Sequence, residues 1–270
     1  MARRTRLDAE LVRRGLARSR AHAADLIAAG QVSVAGQAAA KAATQVGQDA
    51  PITILRADSG PDYASRGGHK LAGALAAFTG LEVAGRRCLD AGASTGGFTD
   101  VLLRAGAAHV IAADVGYGQL AWSLQSDPRV TVLDRVNVRN LRPEQVAAPP
   151  DPPPGLVTAD LSFISLTQVL PALIEVAADD ADYVLLVKPQ FEVGKGQVGA
   201  GGVVRDPELR AKAVQAVAGA ARDLGLGVRG VTASPLPGPS GNVEYFLWLA
   251  AGAPELDQAD LTDAINAGPQ

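Results

Sequence analysis

Cysteine is nearly absent from this sequence. Cys88 stands alone among 270 residues, so no disulfide can form within the chain. A lone thiol in an apolar, strand-patterned stretch reads as core, and the missing disulfide framework points to a reducing compartment. Long apolar runs are lacking too: none approaches the roughly 18 residues that a membrane span needs. The basic N-terminus has no apolar stretch of the kind a secretory leader carries. A cytoplasmic protein with no membrane partner is therefore expected. Histidine is rare, at three, and no His, Cys and carboxylate residues stand at metal-ligand spacing, so no metal is expected either. Lysine is the last scarcity, with five against 20 arginines. Where arginine is the default base, each lysine asks for a reason.

The charge that is present is unevenly spread. Residues 1–20 hold seven arginines against Asp8 and Glu10, a formal +5, so the net −3 of the chain leaves −8 on the other 250 residues. A basic front end suits a polyanion. "RLDAELVRRGLARSRAHAADLIAAGQVSVAG" reads as two short helices and a strand. Leu7, Leu11 and Val12 share one face, Gly15 ends the first helix, Ser19 caps the second, and Ala23, Leu26 and Ile27 form its apolar stripe. "TQVGQDAPITIL" adds a further strand or two. This stretch resembles the S4-type RNA-binding domain, a small α+β module. The resemblance implies that Arg4, Arg6, Arg18, Arg20 and Lys41 face folded RNA, through phosphate contacts that position rather than read sequence. The module spans residues 1–57, and the polar "DSGPDYAS" at 58–65 reads as a linker.

From residue 66 to 252 strands and helices alternate: "RCLDAG", "HVIAADV", "RVTVLD", "GLVTAD", "DYVLLVKP", "VRGVTAS" and "VEYFLWLA" are strand-like, with helical segments between most of them. This is the α/β pattern of a Rossmann-like, mostly parallel, doubly wound sheet, in which ligands bind at the carboxyl ends of strands. Residues 253–270 are left as a tail. The glycine turn "LDAGASTGGF" lacks the GxxxxGK[ST] of a phosphate-cradling loop, and Gly92 does not start a GxGxxG. What remains is Asp90-x-Gly92-x-Ser94-x-Gly96. Asp114 ends the next strand, 22 residues after Gly92, where an acid can hold a ribose diol. S-adenosylmethionine (SAM) has both a ribose and an amino-acid end, and Asp90 would hold the latter. Gly97, Phe98 and Asp160 complete the expected cofactor set. The competing reading is a glycine turn needed only for helix–sheet packing.

Four charged residues stand out: Lys70 opening a helix, Asp160 and Lys188 ending apolar strands, and Glu244 beginning one. Unpaired charges there would be costly. Arginine cannot lose its proton in a protein and lysine can, so two lysines at such positions suggest chemistry that needs an amine. Phe98, Phe163 and Phe191 flank these motifs; base or adenine stacking is open to them, with core packing the simpler reading. The loop "FEVGKGQVGAGG" could close over the site with Lys195 on a phosphate.

"LDAGASTGGFTD", "ADLSFISL", "LVKPQFEVGKGQVG" and "SPLPGPSGNVEYFLWL", behind "SRGGHKL" and the N-terminal module, resemble the TlyA family, whose members have also carried the name hemolysin. The catalytic half is similar to FtsJ-like methyltransferases, with their Lys-Asp-Lys-Glu tetrad. The resemblance implies that Lys70, Asp160, Lys188 and Glu244 are catalytic. It also implies SAM-dependent 2′-O-methylation of cytidine in 16S and 23S ribosomal RNA on ribosomal subunits. One departure stands: some relatives have a more basic, Trp-containing linker where this chain has "GPDYAS", so linker control of SAM binding does not carry over. Chemically, Lys188 would take the 2′-hydroxyl proton while Asp160 and Glu244 orient the amines. The rivals are a non-catalytic RNA-binding or assembly factor on the same fold and a membrane-active hemolysin.

Overall fold

The computed structural model describes residues 4–28, 30–47, 49–54, 62–147, 150–238 and 240–269, and of Lys195 the backbone alone. It divides into two units, residues 1–62 and 63–270.

In the smaller unit β1 (Arg4–Arg6) leads directly into α1 (Leu7–Arg13), followed by α2 (Arg20–Ala28), β2 (Val32–Val34), β3 (Gln37–Ala38), β4 (Gln45–Gly47) and β5 (Ile52–Ile54). β1 pairs with β4, and β2 lies between β3 and β5, all antiparallel. Gly15, at φ +69°, follows α1 in the left-handed conformation that stops a helix. Ser19 Oγ accepts the His22 amide at 3.1 Å, the cap expected for α2. Leu7, Leu11, Ala23, Ile27, Val32 and Val46 close a small core. The α+β module read from the sequence is the one that forms.

The larger unit is a seven-stranded sheet. Its elements run α3 (Gly67–Ala77), β6 (Arg87–Ala91), α4 (Gly97–Arg104), β7 (His109–Asp114), α5 (Trp122–Gln125), β8 (Val130–Asp134), α6 (Pro143–Val146), β9 (Leu156–Ala159) and α7 (Leu166–Val176). They continue through β10 (Asp182–Val187), α8 (Pro189–Glu192), α9 (Pro207–Asp223), β11 (Leu226–Ala233), β12 (Tyr245–Ala251) and α10 (Gln258–Asn266). The strand order is β11-β12-β10-β9-β6-β7-β8, with β12 antiparallel to both neighbours and the rest parallel. The chain leaves β6 toward β7 on one side and returns to β9 on the other, so the switch point where such sheets bind ligands lies at the end of β6.

Successive side chains of a strand face opposite ways, and β6 feeds two cores: Leu89 and Ala91 join a layer with α7 and α9, Cys88 a layer with α3 and α4. Cys88 is fully buried, and burial pushes its thiol up to about 12, the inert core role expected of it.

Two boundaries differ from the sequence reading. Residues 253–269 are no tail: Asp257 caps α10 by accepting the Ala259 and Asp260 amides at 2.7 and 3.1 Å, and Leu261 and Ala264 are buried in the α7–α9 layer. Only two buried apolar residues in nine make a weak periodic signal. Of the linker, residues 58–61 lie outside the described residues, while Tyr63–Ser65 belong to the larger unit. The Ala64 amide donates to Asp100 Oδ2 at 2.7 Å, and a Cβ on Gly68 would come within 2.5 Å of the Tyr63 side chain.

Candidate active site

β6 ends in the glycine turn, and the backbone there requires glycine. Gly92 and Gly96 sit at φ +87° and +94°. A Cβ on Gly92 would lie 2.6 Å from the Asp160 carbonyl oxygen, one on Gly96 would strike Leu124 and Leu120, and one on Gly97 would lie 2.8 Å from the Gly68 amide. Packing alone thus explains these three glycines. It does not explain Ser94, an exposed non-glycine residue held at φ +47°. Its amide donates to Asp114 Oδ2 at 2.8 Å, and Asp114 Oδ1 accepts the Gly116 amide at 2.6 Å. One carboxylate therefore joins the turn after β6 to the loop after β7.

Asp90 lies beneath the turn, fully buried. Its Oδ2 accepts from Thr99 Oγ1 at 2.7 Å; its Oδ1 is buried with no partner. Burial pushes this carboxyl up to about 7, opposed by the Thr99 hydrogen bond and helped by the nearby Asp160 and Asp114. A buried acceptor without a donor fits a ligand that brings one, such as an ammonium group. Asp114, with two of its lone pairs used by amides, keeps others for hydroxyl donors. The turn therefore fits a ligand with an amine at one end and a diol at the other.

The four charged residues meet in two pairs. Lys70 on α3 gives its Nζ to Glu244 Oε2 at 2.5 Å, with both side chains buried. Lys188 Nζ lies 2.6 Å from Asp160 Oδ1 and donates to Ser162 Oγ at 3.0 Å. Strand register brings the pairs together. Val187 on β10 is opposite Tyr245 on β12, which sets Lys188 across from Glu244, and Ala159 on β9 is flanked by Ala91 and Leu185. A Cβ on Gly67, three residues before Lys70, would lie 3.9 Å from Asp160 Oδ2. Glu244 Oε1 is buried without a partner, and a Cβ on Gly238 would come within 2.5 Å of it. Two amines and two carboxylates thus gather at the ends of β9, β10 and β12 and on α3, with Asp160 one strand from the glycine turn.

The family model of the FtsJ-like methyltransferase matches residues 63–251, and that of the S4 domain matches residues 5–52. The chain belongs to the FtsJ-like methyltransferase family, in its TlyA branch. It is 63% identical, over all of both chains, to the 16S/23S rRNA (cytidine-2′-O)-methyltransferase TlyA of Mycobacterium tuberculosis. It is 40% identical to the putative rRNA methyltransferase YqxC of Bacillus subtilis, over 92% of this chain and 86% of that one. Among solved structures, the putative hemolysin from Streptococcus thermophilus superposes with a TM-score of 0.77 at 35% identity, covering 98% of this chain and 96% of that chain.

Within this FtsJ-like domain the remaining expectations divide. Phe98, expected near the cofactor, is buried and packs against Phe246 with ring centroids 6.0 Å apart; the turn of α4 aims it at the sheet with Val101 and Leu102. Phe163 goes the other way: it is 91% exposed at φ +65°, beside Phe191 at 5.3 Å, and not in the core. Sequence reasoning passed over Ser162, although it stands two residues after Asp160. It also passed over Glu192, which accepts from Ser165 Oγ at 2.5 Å and the Leu166 amide at 2.8 Å and so ties α8 to the start of α7. The loop expected to close over the site is anchored at its far end, because buried Asn242 accepts the Val204 amide at 2.9 Å and donates to the Gly202 carbonyl at 2.8 Å. The Lys195 side chain lies outside the described residues. An open groove lined by Phe78, Arg229, Trp248, Asp260 and Asp263 contains none of the site residues.

On the S4 domain Arg4, Arg6, Arg18, Arg20 and Lys41 are all exposed. Two acids hold four of the arginines of this domain, and Arg18 pairs with Asp62 at 3.1 Å. Asp8 pairs with Arg6 and Arg20, at 2.9 and 3.0 Å, and Glu10 with Arg13 and Arg14, at 2.6 and 2.8 Å.

Proposed function

We propose that this protein transfers a methyl group from SAM to the ribose 2′-oxygen of cytidine in 16S and 23S ribosomal RNA, on assembled or assembling subunits in the cytoplasm. One observation carries the chemistry: the Lys188 amine held between Asp160 Oδ1 and Ser162 Oγ at the strand ends beside the glycine turn. When bound, SAM supplies a methyl group on a sulfonium centre. Asp90, with its unpartnered Oδ1, would receive the amino-acid end, Asp114 the ribose, and the backbone of Gly92, Ser94, Gly96 and Gly97 the space between.

A ribose hydroxyl is a poor nucleophile until its proton is leaving. A neutral amine has two hydrogens and one lone pair. Held by its ion pair to Asp160 and its hydrogen bond to Ser162, Lys188 Nζ would, once neutral, offer its lone pair to the 2′-hydroxyl proton. Lys70, fixed by Glu244, supports positive charge nearby, and the rigid strand ends supply alignment. Phe163, exposed beside Lys188's partners and backed by Phe191, offers a stacking face to a base. The S4 domain would dock the folded RNA through its exposed arginines.

The test is to incubate the full chain with SAM and purified ribosomal subunits and map ribose methylation by mass spectrometry of nuclease fragments. A new 2′-O-methylcytidine in each subunit RNA is expected. Tight binding to subunits without any methyl transfer would favour a non-catalytic assembly factor and overturn this reading.

A further inference from the structure

Asp8 is the residue of the S4 domain whose surroundings are hardest to explain by folding alone. Its side chain is 6% exposed, yet it sits between two arginines that are 45% and 60% exposed. Arg6 donates Nε to Oδ1 at 3.1 Å and Nη2 to Oδ2 at 2.9 Å; Arg20 donates Nη2 to Oδ2 at 3.0 Å; the Ala9 amide donates to Oδ1 at 2.8 Å. These four bonds use every lone pair of the carboxylate. They join β1 to the first residue of α2, and among the described residues the hydrogen bonds of Arg6 and Arg20 end there.

Glu10, on the same helix, is the partial counterpart. It is fully buried and binds one exposed arginine, Arg13 at 56%, and one that is not: Arg14 goes on to the Ala50 carbonyl at 2.8 Å with only 22% of its side chain exposed. Arg14 is built into the fold. Arg6 and Arg20 instead share one buried carboxylate while both stay exposed. Each guanidinium has five donors. Arg6 spends two on Asp8 and Arg20 one, which leaves seven without a recorded acceptor among the described residues.

We propose that Asp8 is a positioning residue that holds Arg6 and Arg20 as a preset pair for a single phosphodiester of the RNA backbone. The proposal rests on the reading of folded RNA as substrate, and it deepens that reading from a basic surface to a defined phosphate site. Two guanidiniums match the two non-bridging oxygens of a phosphate, and fixing them beforehand spares the loss of side-chain freedom on binding. The cost is one negative charge close to the phosphate, and that cost makes the idea testable by sign.

Asp8→Asn adds one unit of positive charge to the domain. If charge alone sets RNA affinity, the variant binds ribosomal subunits as tightly as wild type or more so, with a steeper salt dependence. If Asp8 presets the pair, the variant binds about 10-fold more weakly, and the slope of log affinity against log salt falls by about 1. Wild-type or tighter binding by Asp8→Asn overturns the proposal. To separate positioning from loss of folding, Arg20→Lys keeps the charge on an exposed residue but removes the fork. It too should weaken binding, and adding Asp8→Asn to it should then cost little more. Fully additive losses in that cycle would assign Asp8 to the fold alone and overturn the proposal. SAM affinity, measured on every variant, should not change. A wild-type chain that binds no ribosomal RNA would instead sink the function reading itself.

Discussion

Lys188 holds one ion pair and one hydrogen bond in a chain that writes arginine four times as often as lysine. Lys188→Arg keeps the charge but cannot give up a proton near neutral pH, so it cannot serve as the base. Single-turnover methyl transfer at saturating SAM and RNA should fall by about 100- to 10,000-fold, with SAM and RNA binding retained. Near-wild-type rates would end the base assignment. Ser162→Ala frees one amine hydrogen without touching the charge, and a smaller loss of about 10-fold is expected, for one hydrogen bond. Asp90 makes a separate prediction. Its carboxyl, held protonated up to about pH 7 by burial, keeps a proton that the unfolded chain releases near pH 4. The folded state therefore binds more protons between those values, and the free protein loses stability as pH rises from about 4 to about 7. Thermal midpoints across that window should show the slope in wild type and a flatter one in Asp90→Asn. The same slope in both would assign it to other groups. Of the proposed site residues, the four charged ones and Asp90 stood out in the sequence because strand ends and scarce lysines mark them. Ser162 did not, since a serine in a loop carries no periodic or charge signal.

The turn between β6 and α4 is the element on which the two halves of the site meet. Gly92→Ala adds a Cβ at φ +87° and 2.6 Å from the Asp160 carbonyl. Relief must come from backbone, either the turn that would hold SAM or the segment that holds Asp160. A loss of about 1–3 kcal/mol in stability is expected from the conformation alone. Calorimetry should show SAM binding weakened at least about 10-fold, and unchanged affinity with unchanged thermal midpoint would contradict this account. The strands of the sheet were readable from their apolar runs, and the helices α3, α4, α5, α7 and α9 from the helical segments around them. The short α6 and α8 carried less signal, and α10 was passed over as a tail. Phe98 and Phe163 could not be told apart in sequence, since each is one aromatic beside a motif. The helical turn of α4 buries the first, and a left-handed backbone turns the second outward.

At the scale of the molecule, the chain divides into two compact units. Removing residues 1–62 should leave a folded domain with wild-type SAM affinity that methylates ribosomal subunits at least about 100-fold more slowly, because the phosphate-binding surface is gone. Equal turnover by the truncated and full chains would deny the S4 domain a docking role. The α/β class, the small α+β module, the glycine turn and the four charged residues at strand and helix ends followed from the sequence by itself, because periodicity, glycine spacing and charge type are local properties. Partnership was decided only by the tertiary structure. Lys70 finds Glu244 across 174 residues of chain, and Lys188 takes Asp160 and Ser162, through a register set by β12 lying antiparallel between β10 and β11. Asp8 makes the same point in the other unit. In sequence it is one negative charge set against seven arginines; in the fold it is buried where β1 and α2 converge, and a charge buried between two guanidiniums fixes their direction.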